Sequence, residues 1–166
     1  MAHKFREDDL AGDMDRIAGL YRLRGYYQAK ATYTVAREEG SRTVAIEIRI
    51  EEGAPVHTYQ VGIRLANGHP ISSHPLIEDV AWDDFLESIQ LQQGEIFKLN
   101  DYREAREKIL VFVAERGLPE ASLVGRAEVD LRLHRATVDW QLVPGRHIRL
   151  GEVRISGLKD VDENIL

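Results

Sequence analysis

One offset organises this sequence. Gly25 and Gly117 stand 92 positions apart, and the same spacing pairs Phe5 with Phe97, Asp9 with Asp101, Ile17 with Ile109, Arg24 with Arg116, Ala29 with Ala121, Gly53 with Gly145, Val61 with Val153 and Ile63 with Ile155. The register runs from Phe5 to Ile63 without a gap. Self-similarity at a fixed period marks supersecondary units laid end to end, each leaning on its neighbours. With this offset, 166 residues hold one whole unit and parts of two others.

Both copies carry the same local signals. Asp9 to Arg24 reads as a helix, with Leu10, Ile17, Leu20 and Tyr21 at helical spacing and Met14 between them. In the second copy Tyr102, Ala105, Ile109, Phe112 and Val113 form the stripe. Asp8 or Asp9, and Asn100 or Asp101, are suited to cap these helices. Gly25 and Gly117 stand where a left-handed C-cap is expected, with Arg24 and Arg116 in the last turn against the helix dipole. The period then switches to two. Ala29, Ala31, Tyr33 and Val35 alternate with polar residues, a turn follows through Glu38-Glu39-Gly40-Ser41, and Val44, Ile46, Ile48 and Ile50 alternate again. The second copy gives Ala121, Leu123, Ala127, Val129, Leu131 and Leu133, a turn near His134-Arg135, then Ala136, Val138, Trp140 and Leu142. Each copy is thus a helix followed by a β-hairpin with one wet face.

A further strand follows each hairpin. Pro55 to Leu65 places Tyr59, Val61, Ile63 and Leu65 on one side, and Ile148 to Ile155 is its counterpart. Ala66 to Pro70 breaks the chain, and Trp82 to Leu91 reads as a short amphipathic helix ended by Gln92-Gln93-Gly94. Residues 55–145 therefore form a complete strand, helix, helix, strand, strand unit. Residues 1–54 supply the second helix and hairpin of a preceding unit, and residues 146–166 begin a third.

Composition narrows the function. Lys and Arg number 22 against 28 Asp and Glu, a net charge of −6, which argues against non-specific nucleic-acid binding as the main task. The absence of cysteine excludes a disulfide scaffold, a Cys-based zinc site and a thiol nucleophile, and leaves the compartment open. The apolar runs fall far short of the roughly 20 residues a bilayer-spanning helix needs. Met1-Ala2-His3-Lys4 leads into charged residues with no apolar stretch, so no signal peptide is read there. That pattern suits a cytosolic protein or an excised portion of a longer one.

The β-α-α-β-β order closed by a glycine resembles the POTRA (polypeptide-transport-associated) family. Leu20-Tyr21-Arg22-Leu23-Arg24-Gly25-Tyr26-Tyr27-Gln28-Ala29 and Phe112-Val113-Ala114-Glu115-Arg116-Gly117-Leu118-Pro119-Glu120-Ala121 carry the likeness. Ile50-Glu51-Glu52-Gly53 and Leu142-Val143-Pro144-Gly145 resemble the family's strand end, and Gly151 to Gly157 the opening of a further unit. The tandem arrangement is most similar to the TamA/BamA-like outer-membrane assembly proteins. The resemblance implies an α+β fold of tandem POTRA units, each a three-stranded mixed sheet packed by two helices. It also implies a periplasmic location before a membrane β-barrel, no catalysis and no cofactor. The partners it implies are unfolded outer-membrane proteins or assembly-complex subunits, and no nucleic acid.

Residue chemistry offers little against that. His3, His57, His69, His74, His134 and His147 form no HExxH or paired-ligand spacing, and a metal between His69 and His74 would need more ligands than that loop offers. Asp83-Asp84 suits the first turn of a helix better than an acid/base pair. Ser72-Ser73-His74 lacks a glycine elbow, so a small hydrolase on this loop is the weakest reading. Arg22, Arg24, Lys30, Arg42 and Arg49 are interleaved with acids as a solvated face. Tyr26, Tyr27 and Tyr33 either cover the sheet with their hydroxyls outward or form a recognition patch.

The sheet itself is the functional candidate, because an edge with unpaired N–H and C=O groups accepts another strand. The resemblance implies that the edge strands are Glu120 to Arg132 and Ala29 to Ala36. Ser122, Val124, Arg126, Glu128 and Asp130, with Lys30, Thr32 and Thr34 in the first copy, are the expected partner-binding residues. A structural spacer or docking module without client binding is the alternative. The shared offset would also let Ile148–Ile155 complete the first unit of a neighbouring copy, giving a strand-exchanged homo-oligomer.

Overall fold

The computed structural model describes residues 7–37, 43–77 and 79–152. The elements run α1 (Glu7–Leu23), β1 (Lys30–Arg37), β2 (Val44–Glu51), β3 (His57–Leu65), a 3-10 turn (Ile71–Ser73), α2 (Asp79–Ser88), α3 (Leu99–Glu115), β4 (Ser122–Asp130) and β5 (Arg135–Val143). β1 and β2 pair antiparallel as a two-stranded sheet, with α1 packed on β1. The second sheet has the order β3-β5-β4, with β3 parallel and β4 antiparallel to β5. This is the expected α+β, β-α-α-β-β arrangement.

The offset of 92 reappears in the hydrogen bonds. Tyr26 N–H donates to Tyr21 O (3.0 Å) and Gly25 N–H to Arg22 O (3.1 Å); Leu118 N–H donates to Val113 O (3.1 Å) and Gly117 N–H to Ala114 O (3.0 Å). Both helices thus end in the same two-bond closure, which needs a left-handed residue after the helix. Gly25 and Gly117 supply it, at φ +96° and +86°. The chain then leaves in the same direction, since Val56 N–H donates to Gly25 O (2.9 Å) and Ile148 N–H to Gly117 O (2.8 Å).

The main core lies between the β3-β5-β4 sheet and helices α2 and α3. Ala136, Val138, Trp140 and Leu142 on β5 are completely buried, as the alternation predicts. Ala105, Ile109, Phe112 and Val113 on α3 and Trp82 on α2 meet them. Tyr102 and Phe97 meet at a steep interplanar angle of 64°, and Tyr102 accepts the Trp140 indole N–H through its hydroxyl at 3.2 Å, so the largest buried side chain keeps its donor satisfied.

Several expectations change. Leu131 and Leu133 do not belong to a strand: the strand ends at Asp130, whose carboxylate accepts the Arg132 and Leu133 backbone N–H groups (2.8 and 3.1 Å) and closes a tight turn. Tyr59 does not share a side with Val61, Ile63 and Leu65. A bulge between Thr58 and Gln60 leaves Tyr59 unpaired and exposed, and turns Val56 and Thr58 inward. α2 starts at Asp79 rather than Trp82, so Asp83 and Asp84 fall in its second turn. It ends at Ser88, and the Gln92 side-chain amide donates to the orphan carbonyls of Leu86 and Ile89, each at 2.9 Å. The N-cap of α3 is Lys98, without a side-chain cap bond, and Asp101 pairs instead with Lys98 Nζ at 3.6 Å. α1 is already helical at Glu7, and it buries Met14 and Ala18 while Leu20 faces outward. The turn at 38–41 and the residues from Val153 onward lie outside the described residues; 148–152 take no strand conformation.

Candidate strand-accepting edge

The order β3-β5-β4 gives the complete unit two edge strands, and they are not equivalent. The outer side of β3 is occupied near both ends. Ile96 bridges His57, with Thr58 N–H donating to Glu95 O (2.8 Å) and Gly94 N–H to Thr58 O (2.8 Å). Pro70 bridges Arg64, with Leu65 N–H donating to His69 O (2.8 Å). A full-length strand therefore cannot lie along β3. β4 pairs with β5 over nine positions, from Ser122 opposite Val143 to Asp130 opposite Arg135, and no described strand lies on its other side.

The five β4 residues expected at the edge are together on this strand. Val124 is 61% exposed, and Ser122, Arg126 and Glu128 are also exposed, with Asp130 half-buried in the turn bonds. These alternate residues face away from the helices, while Leu123 is buried and Ala127 and Val129 pack on the core. Arg126 and Glu128 form an ion pair at 2.9 Å along the strand, and Arg106 from α3 reaches the Leu123 carbonyl at 3.3 Å. Charge of this kind is how edges are kept from indiscriminate pairing. The two backbone N–H bonds to the Asp130 carboxylate hold its pKa below the usual carboxylate range.

Gly125 sits mid-strand opposite Trp140. A Cβ there would come 2.5 Å from Trp140 Cδ1 and overlap the Asp139 carbonyl, so the indole occupies the space a side chain would take. The edge strand is thereby held tightly to β5 while its outer side stays free of bulk.

Lys30, Thr32 and Thr34 lie exposed on β1, on a separate two-stranded sheet, so the structure does not bring them together with the β4 residues. Thr32 Oγ1 turns across its own hairpin to the Arg49 carbonyl at 3.5 Å. The Ile96 bridge and the Arg106 contact join residues 39 and 17 positions apart, and no local pattern signals them. Of the loop histidines, His74 accepts the Leu76 N–H through Nδ1 at 3.3 Å. Among the described residues no three His, Cys, Asp or Glu side chains converge as a metal site, and no helix is long and apolar enough to cross a membrane.

Comparison with known proteins accords with this architecture. Residues 3–53 match the POTRA family profile, described as a surface antigen variable number repeat. The outer membrane protein assembly factor BamA of Neorickettsia risticii is 24% identical over 156 residues, covering 94% of this chain and 20% of that protein. BamA of Nitratidesulfovibrio vulgaris is 25% identical over 167 residues, covering 95% and 20%. The chain thus spans about a fifth of the length of these relatives. The crystal structure of Haemophilus influenzae BamA POTRA3-5 aligns with a TM-score of 0.50 at 19% identity, covering 99% of this chain and 61% of that one, and shares its fold. The repeat and the β-α-α-β-β order thus stand beside a POTRA match over residues 3–53 and a similarity to outer membrane protein assembly factors along nearly the whole chain.

Proposed function

We propose that this chain is part of the periplasmic POTRA region of an outer-membrane protein assembly factor with a membrane β-barrel, and that β4 takes up extended strands of unfolded outer-membrane proteins or assembly-complex subunits. Residues 1–54, 55–145 and 146–166 act as successive units of that array. The observation that carries the reading is the asymmetry of the sheet: β3 is bridged at both ends, and β4 presents nine residues with no described strand beyond. Backbone pairing supplies affinity without demanding a particular client sequence, and Val124, Arg126 and Glu128 bias which side chains are accepted. The role is that of a scaffold, not an enzyme.

The test is amide chemical-shift mapping with a peptide from an outer-membrane β-strand. Perturbations are expected at Ser122–Asp130, and a photocrosslinker at Val124 should capture the peptide where one at Gln60 on β3 does not. Shifts confined to the helices would sink the strand-capture reading. The Arg126–Glu128 pair and the Arg106 contact favour a second reading, a spacer whose edge is deliberately blunted. That reading predicts no saturable shifts at all. Strand exchange between copies would use a different edge, that of β2, and would appear as a concentration-dependent dimer in sedimentation.

A further inference from the structure

The helical side of the complete unit carries a second surface, independent of the sheet edge. A groove of about 490 Å³ runs between α2 and α3. Its floor is apolar: Phe85 and Phe112 stack with ring centroids 4.4 Å apart, and Val111 is 57% exposed in the middle of an otherwise charged helix face. Glu104, Glu107 and Glu115 rim it, against Lys108 as the cation in its lining. All three glutamates are exposed, and among the described residues none makes an ion pair. Glu107, Val111 and Glu115 follow at i, i+4 and i+8, a row about 12 Å long on one face of α3.

This geometry selects a particular partner. Helix backbones have no groups to offer an extended peptide, so recognition here falls to side chains, and a row at i, i+4, i+8 is matched by the same row on another helix. Lys108 lies in the rim and the Arg116 guanidinium sits 3.4 Å from the Phe112 ring centroid, yet Glu107 and Glu115 hold no ion pair among the described residues, so the apolar centre between them suits an apolar anchor between two cations. We propose that the α2–α3 groove docks a basic amphipathic helix of a partner protein, with a Leu or aromatic side chain over Val111 and Phe85 and a Lys or Arg four residues to each side facing Glu107 and Glu115. The acid rim repels an anionic lipid surface, which removes the membrane as occupant.

The probe is an Ala-rich helical peptide of about 18 residues carrying Lys-x-x-x-Leu-x-x-x-Lys, compared by fluorescence anisotropy with its Glu-flanked counterpart on the full chain. The Lys peptide is expected to bind at least about tenfold tighter. The double variant Glu107→Lys, Glu115→Lys should exchange the preference between the two peptides, and Val111→Ala should weaken the Lys peptide several-fold. Glu47→Lys with Glu51→Lys on β2 makes the same change in net charge and should leave the preference in place. All five positions are exposed or partly exposed, and circular dichroism checks that the variants stay folded. A preference that follows net charge equally in both double variants, or binding that Val111→Ala and the Glu107/Glu115 reversal leave untouched, overturns the proposal.

Discussion

Val44, Ile46, Ile48 and Ile50 on β2 stand 92 positions before Ala136, Val138, Trp140 and Leu142 on β5. The four β5 side chains are completely buried, whereas Ile46, Ile48 and Ile50 are 40%, 45% and 39% exposed. The alternation is equally clean in both hairpins, and both form antiparallel pairs in the same register once shifted by 92. The difference is what lies beyond the second strand. β5 has β3 along its other side and α2 and α3 across its face; among the described residues β2 has neither. A strand pattern fixes which face is apolar, and the neighbours on that face decide whether its burial contributes stability. The two hairpins also divide volume differently. Tyr33 faces Ile48 in the first, and Gly125 faces Trp140 in the second, so the large partner changes sides.

The largest difference in stability is expected at the middle of the two second strands. Trp140→Ala should cost about 3–5 kcal/mol in urea unfolding, while Ile48→Ala at the same repeat position costs about 1 kcal/mol or less. Equal losses would mean the two hairpins share one level of burial. The next effect is at the position facing it. Gly125→Tyr, which copies the first hairpin into the second, should destabilise by about 1–3 kcal/mol or prevent folding, since the indole already fills the site.

Smaller effects sharpen the same contrast at the helix ends. Gly25→Ala and Gly117→Ala each incur about 1–2 kcal/mol for a left-handed alanine. The loss should be larger at Gly25, where the new Cβ meets the Phe97 carbonyl at 2.9 Å, than at Gly117, where it meets the His147 ring at 2.7 Å and the ring can rotate away. Identical losses would show that the first junction yields as easily as the second. The smallest effect is a pH dependence in the β4–β5 turn. The Asp130 carboxyl is held below its ordinary value by backbone N–H donors, so its contribution is complete above the unfolded value of about 3.9 and is lost as pH falls through the lower folded one. The stability gap between the parent chain and Asp130→Ala should therefore stay constant at neutral pH and narrow only on the acid limb. A gap that widened with acid would reverse the assignment.

Much of this fold was legible because its signals are local. Gly25 and Gly117 announce their helix ends through a conformation other residues rarely adopt, and the alternations at 29–35 and 136–142 announce strands. The β4 edge was legible only through family resemblance, since no local feature of Ser122 to Asp130 says which neighbour it lacks. Features that arise between distant segments left no trace. The bulge at Tyr59 turns on the pairing of β3 with β5, and the end of β4 at Asp130 on two backbone bonds competing with a strand that Leu131 and Leu133 would have extended.

The repeat, its period, the order of elements and the apolar faces of the two hairpins followed from the residues alone, because these rest on backbone preference and side-chain spacing within a few residues. Tertiary structure alone decided which apolar faces are buried and which sheet edge stays open. Ile96 closes one end of β3 from 39 positions along the chain and Pro70 closes the other just after the strand, while no described strand lies beyond β4, and that asymmetry exists only once the strands are laid side by side.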